Sequence, residues 1–170
     1  MKEWKLYFAN LGAYVNGQLV GGWIDVLEFC NDPEGLAEAI AKATHGAEES
    51  AIHDSEGGTL GMGENVDISG ILARAEAIEE HGFEVVEIAM DYVSGDLDFD
   101  VINTAIENGY RGTHECGADY AHDLFEETGD LGKLPEILRY CIDWEHVFRN
   151  MELREHAVGY GKSIIWDPNC

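Results

Sequence analysis

From Trp4 to Ala9, large apolar residues alternate with polar or smaller ones, and the run ends at Asn10. A period of two predicts a β-strand. Leu19 to Val26, rich in β-branched and aromatic residues, predicts a second. The link between them holds Asn16-Gly17, a turn signal, so the two runs read as a hairpin-like pair. Asp32-Pro33-Glu34 then opens a helix, with Asp32 as N-cap and Pro33 at the first helical position. Leu36, Ala37, Ile40 and Ala41 carry its apolar face, and Gly46 can end it. Glu48 to Asp54 predicts a third strand, with Ala51 and His53 on one face and Ser50 and Ile52 on the other.

Glu56 to Gly63 contains Gly57, Gly58, Gly61 and Gly63 and reads as a linker. Helical spacing follows. Ile68 to Glu80 carries Ile71, Leu72, Ala75 and Ile78, closed by Gly82. Phe83 to Tyr92 predicts a second helix, with the Val85-Val86 pair leaving a strand open, and Asp98 to Glu107 a third, ending at Gly109. Tyr110 to His114 is a short strand. Glu115 to Thr128 is a helix with Ala118, Ala121, Leu124 and Phe125 inward, stopped by Gly129. Leu134-Pro135 starts another helix through Tyr140, Asp143 caps one bearing Trp144, Val147, Phe148 and Met151, and Gly161 to Trp166 closes as a strand. The fold class is α+β, with mixed β-sheets and helices. Three small domains are expected: an α+β unit at 1–61, a mostly helical acidic middle unit at 62–109, and an α+β unit at 110–170.

Charge changes this picture most. Against 34 Asp and Glu stand only 10 Lys and Arg, a formal net charge of −24 over 170 residues. Hydrophobic residues at 45% and aromatics at 10% are too abundant for a disordered acidic tail, so the chain folds despite self-repulsion. Direct nucleic-acid binding is disfavoured, because phosphate contacts need Lys and Arg. An anionic membrane surface would repel the chain as well. Residues 1–61 carry net −7, residues 62–110 net −11 with Arg74 as their one base, and residues 111–170 net −6. The middle segment is thus the most acidic. Glu76, Glu80, Glu84 and Glu87 recur at helical spacing, where like charges repel by a few tenths of a kcal/mol per pair. Met1-Lys2-Glu3-Trp4 leads straight into a strand-like run, and Cys30, Cys116, Cys141 and Cys170 form no CxxC pair. A cytoplasmic protein with reduced thiols is expected.

Three near-motifs stand in the chain. Asp96, Asp98, Asp100 and Glu107 match positions 1, 3, 5 and 12 of a calcium loop, but Val101 stands where the turn needs Gly. Acids at a helix N-terminus explain the cluster more simply. Gly161-Lys162-Ser163 resembles the end of a phosphate loop, but His156 replaces its first glycine and a strand follows. His114, Cys116 and His122 could gather metal ligands, but no second CxxC or HxxxH accompanies them; scattered side chains are the expectation. No G-x-S-x-G elbow is present and paired carboxylates are too common to be specific, so a non-enzymatic protein without cofactor or metal is expected.

The two ends carry a resemblance. Leu6-Tyr7-Phe8-Ala9-Asn10-Leu11-Gly12, then Tyr14, Gly17 and Leu19-Val20-Gly21-Gly22-Trp23, resembles the opening of the ArdA antirestriction proteins. Ala51-Ile52-His53-Asp54 fits the same family. So do Ala118-Asp119-Tyr120-Ala121, Leu124-Phe125-Glu126-Glu127-Thr128-Gly129, Leu134-Pro135 and Tyr140-Cys141-Ile142-Asp143-Trp144-Glu145. The resemblance implies an elongated protein of three small domains, dimerising through its C-terminal domain and carried by mobile genetic elements. It implies mimicry of bent B-form DNA and inhibition of Type I restriction-modification enzymes, by filling the DNA groove of the methyltransferase core.

On that reading the mimic surface comprises Glu64, Asp67, Glu76, Glu79, Glu80, Glu84, Glu87, Asp91, Asp96, Asp98, Asp100, Glu107, Glu115, Asp119, Asp123, Glu126 and Glu127. The less acidic C-terminal unit supplies candidate homodimer contacts at Tyr110, Tyr120, Phe125, Tyr140 and Trp144. Duplex DNA presents one charge per ~1.7 Å of axis, so 24 net charges in line would match at most ~40 Å. The rival readings are an acidic module for another basic nucleic-acid-binding protein, and a plain acidic soluble protein.

Overall fold

The alternation at 4–9 becomes strand β1 (Lys5–Asn10), with Trp4, Leu6, Phe8 and Ala9 buried. The computed structural model describes residues 3–58, 60–93 and 98–169. Asn10 ends the strand and caps a short helix, α1 (Leu11–Val15), its side chain accepting from the Ala13 N–H at 2.9 Å. The Asn16-Gly17 turn signal does not reveal α1, because five residues are too few to show a helical period. β2 (Gly21–Asp25) then pairs antiparallel with β1, placing Trp23 opposite Tyr7 with the rings edge-on at 5.4 Å. Helix α2 (Pro33–Ala43) starts where predicted, with Asp32 accepting from the Gly35 N–H at 2.9 Å. It buries Leu36 and Ile40.

β3 (Ser50–Glu56) completes an antiparallel sheet ordered β2-β1-β3. Its facing differs from the expected alternation: Ala51 and Ile52 are both buried and His53 is exposed. The register slips here, Tyr7 facing Asp54 while Phe8 faces Ile52. The extra residue in β3 is a bulge, and a bulge resets which side chains point inward.

The glycine-rich stretch is anchored, contrary to its reading as a linker. The Trp4 indole donates to the Gly58 carbonyl at 3.1 Å, and the Ile52 N–H to the Glu64 carbonyl at 2.9 Å. Leu60 is buried. The glycines serve conformation: Gly57, Gly58 and Gly61 have φ of 103°, 106° and 70°, which side chains resist.

Helices α3 (Ile68–His81), α4 (Phe83–Tyr92) and α5 (Phe99–Gly109) follow as the apolar spacing predicted. Val85 and Val86 lie in α4 and are buried with Ile88 and Ala89, a helical repeat that decides against the strand alternative. The Asp98 side chain accepts from the Val101 N–H at 2.9 Å at the start of α5, whose Ile102 and Ile106 are buried. Arg74 of α3 is also buried. Its guanidinium donates to the carbonyls of Leu60 (2.9 Å) and Gly70 (2.6 Å).

A second antiparallel sheet, ordered β4-β6-β5, uses β4 (Tyr110–His114), β5 (Arg154–Val158) and β6 (Lys162–Trp166). Central β6 buries Ser163 to Trp166. Edge strand β5 was missed in the sequence because Arg154-Glu155-His156 carries no apolar alternation. Helices α6 (Gly117–Glu127), α7 (Glu136–Arg139) and α8 (Trp144–Arg149) accompany this sheet. Ala121 of α6, Phe148 of α8 and Ile165 of β6 form a core against which Tyr120, Trp144, Val147, Met151 and Leu153 pack.

Among the described residues the fold is therefore α+β, with eight α-helices and two three-stranded antiparallel sheets. The chain groups into two compact units, Met1–Thr104 and Ala105–Cys170. No helix of the described residues is long and apolar enough to cross a membrane.

Two substitutions test the packing. Gly117 lies so close to the Phe148 ring that an added Cβ would overlap it. Gly117→Ala is expected to lower unfolding free energy by about 1–3 kcal/mol, read by urea denaturation. Arg74→Met keeps the stem but removes the donors to two carbonyls, and is expected to cost about 1–3 kcal/mol in the same measurement.

Candidate functional site

The acids expected on the functional surface sit on the outer faces of the helices just described. Glu79, Glu80, Glu87, Asp91, Asp98, Asp100 and Glu107 are exposed, and Glu76 and Glu84 are half-buried. Glu64 and Asp67, ahead of α3, are exposed too. Asp96 lies outside the described residues. In unit 105–170, Glu115, Asp119, Glu126 and Glu127 are exposed and Asp123 is half-buried. None of the described candidates is buried. The cause is local: α3 and α4 commit nearly all their apolar positions to the core, leaving carboxylates as the residues that face water. On a helix, positions three and four apart bring Cβ atoms to about 5–6 Å, so Glu76, Glu79 and Glu80 on α3, and Glu84, Glu87 and Asp91 on α4, make short rows of charge.

Neutralising partners are unevenly placed. Arg74, the one base between 62 and 110, is turned inward onto carbonyl groups. Burial pulls its pKa below the ordinary arginine value, against a raising effect from Asp67. The Lys and Arg ion pairs among the described residues lie elsewhere: Lys5 with Glu3, Arg111 with Asp167 at 2.9 Å, Lys133 with Asp130 at 2.5 Å, and Lys162 with Glu115 at 3.7 Å. Glu115 is thus a weaker candidate than its sequence position suggested.

Cys30 reports the negative field near α3. Its thiol is pushed up to about 11, first by burial and then by Glu79 and Glu76. Cys30 lines a cleft of about 750 Å³, where Leu27, Ile78 and Phe83 meet the carboxylates of Glu28 and Glu79. No sequence pattern marks this cleft, since its lining residues come from three separate segments.

The near-motifs resolve individually. Asp98 caps α5, Asp100 lies in its first turn and Glu107 near its end, so these three acids follow a helix rather than wrapping a loop. Gly161-Lys162-Ser163 runs into β6, without a helix after it. Of His114, Cys116 and His122, Cys116 is exposed; His114 instead meets Asp119 and Asp123, and His122 meets Asp123 and Glu126.

The candidate dimer aromatics separate into two groups. Tyr110, Tyr120, Phe125 and Trp144 are half-buried. Tyr120 lies edge-on to His114 (5.1 Å) and Phe148 (6.4 Å), and Phe125 to Trp144 (5.8 Å), so these rings serve the packing of their own unit. Tyr140 is 84% exposed, beside Ile137 at 76% and Leu138 at 49%. Ile137 and Leu138 carry no sequence signal, because a four-residue helix shows no amphipathic period.

Among curated proteins, no sequence matches the chain. A family model described as "Antirestriction protein (ArdA)" matches residues 6–165. That span takes in both terminal blocks, all but the end residues Lys5 and Trp166 of the two sheets, and all the described acidic helices. The chain belongs to the ArdA family of antirestriction proteins.

Proposed function

We propose that this antirestriction protein works by mimicking bent B-form DNA and occupying the DNA-binding groove of a Type I restriction-modification enzyme, at its methyltransferase core. The observation that supports this most is the joint placement of charge on α3 to α5: exposed carboxylates at helical spacing, with the segment's one base buried. A groove shaped for phosphates carries Lys and Arg, and complementary potential steers such surfaces together. The same charge disfavours direct contact of the protein with nucleic acid or with an anionic membrane.

The 62–109 segment carries the densest acid of the mimic surface, and α6 supplies further acids. Homodimerisation through 110–170 would double the number of carboxylates presented to the enzyme. Tyr140, with Ile137 and Leu138, offers the exposed apolar side chains for that contact. The protein acts as a cytoplasmic, non-catalytic inhibitor encoded on a mobile genetic element.

A mimic binds through many charges, so its sensitivity to mutation is spread out. In a Type I restriction assay with purified enzyme, the wild-type protein is expected to relieve cleavage. Glu79→Gln or Glu87→Gln alone should shift the inhibitory concentration by no more than about twofold, as expected for exposed charges. The combined Glu79, Glu80, Glu87→Gln and Asp91→Asn variant should weaken inhibition by about tenfold or more and flatten its salt dependence. Because neutralisation relieves self-repulsion, the combined variant should melt no lower than wild type, which separates lost binding from lost folding. Loss of all activity from one of these single changes would overturn the distributed-charge mechanism.

A further inference from the structure

The mimic surface does not account for how β4 and α6 meet. His114 is the last residue of β4, with its side chain 21% exposed. Its Nδ1 lies 3.6 Å from Asp123 Oδ2, long for a hydrogen bond. Asp119 stands one helical turn before Asp123, on the same face of α6. The ligand-capable atoms of His114, Asp119 and Asp123 all lie within 4.8 Å of one another. Two ligands bound at about 2.0–2.1 Å in a tetrahedral site sit about 3.3 Å apart, so the His114–Asp123 separation suits two ligands of one ion.

The histidine is held in place. Tyr120 packs edge-on against its ring at 5.1 Å and 78°. On the other edge, a Cβ on Gly112 would stand 2.9 Å from Nε2, so the missing side chain at that position makes room for the ring. This arrangement leaves Nδ1 as the atom directed at Asp123. On the far side of Asp123, His122 approaches Oδ1 at 3.4 Å, and His122, Asp123 and Glu126 form a second group within the same limit. Asp123 therefore stands between two imidazoles, in a region where surrounding acids raise the local cation concentration.

We propose that His114, Asp119 and Asp123 form a binding site for one divalent transition-metal ion of the zinc class, joining β4 to α6. Imidazole with two carboxylates is a nitrogen and oxygen donor set suited to zinc, cobalt or nickel, whereas magnesium and calcium prefer all-oxygen sites. Water would complete the coordination.

The test uses the full chain, freed of metal with a chelator and titrated with cobalt(II) and then zinc(II) in excess magnesium. Cobalt held in a four-coordinate site with a nitrogen ligand gives a red-shifted visible band far more intense than that of hydrated cobalt held loosely by an acidic surface. The expected result is one saturable cobalt per chain, displaced by zinc, with a rise in melting temperature. Asp119→Asn, an exposed and structurally mild change, and His114→Gln should each weaken binding by about tenfold or more. Glu79→Gln with Glu80→Gln, in the other unit, should leave it unchanged. Absence of the cobalt band, or binding that both Asp119→Asn and His114→Gln leave unaltered, would overturn the site. Neither outcome depends on inhibition of a restriction enzyme.

Discussion

Mutual repulsion among carboxylates is the constraint on which the rest of the structure turns. A net charge of −24 opposes any compact arrangement, and it is strongest between 62 and 110. The apolar positions of α3 and α4 oppose it. Ile71, Leu72, Ala75, Ile78, Phe83, Val85, Val86, Ile88 and Ala89 are all buried. A buried side chain of the Val, Leu or Phe class contributes about 1.5–3 kcal/mol, whereas a like-charge pair on a helix costs a few tenths. Burial wins that comparison by a wide margin, which is how two successive helices can keep acids on their outer faces with little cationic relief.

Arg74 sharpens this point. A surface arginine among so many acids would form ion pairs and reduce the local field. Here its guanidinium serves the Leu60 and Gly70 carbonyls, tying the glycine-rich stretch to α3. One side chain thus joins folding to electrostatics: it satisfies buried backbone acceptors and, by the same act, keeps its charge off the outer face that carries the acids of its segment. Several other acids have structural duties. Asp32, Asp98 and Asp143 accept N–H groups at helix starts, where the helix dipole favours negative charge. Being acidic is therefore not the same as belonging to the recognition surface.

Much of the architecture was legible because its signals are local. Asp32-Pro33, the period of Ile71, Leu72, Ala75 and Ile78, and the stops at Gly82 and Gly129 each depend on neighbouring residues, and the corresponding elements formed. What escaped was short or polar. α1 and α7 hold too few residues for a period, and β5 gains its place only by pairing along β6. The bulge in β3 is likewise set by its partner strand, so Ile52 rather than His53 joins Ala51 inside. For the candidate site, sequence identified which acids lie on helices, since spacing places them there. It could not identify the inward turn of Arg74, or the convergence of His114 with Asp119 and Asp123 from separate elements.

By itself the sequence determined the acid surplus and its concentration at 62–110, the α+β character, most helix starts, and the family, which two terminal blocks carry. These follow from composition and short-range pattern, which need no knowledge of distant contacts. Tertiary structure decided the rest. It anchored a glycine-rich stretch that reads as a linker, buried the lone base of the most acidic segment, and brought a strand histidine against two helix carboxylates. It also directed Tyr120, Phe125 and Trp144 into their own unit while leaving Tyr140 exposed. The physical reason is common to all four: each depends on which surfaces lose water to one another, and that is settled only when segments far apart in the chain pack together.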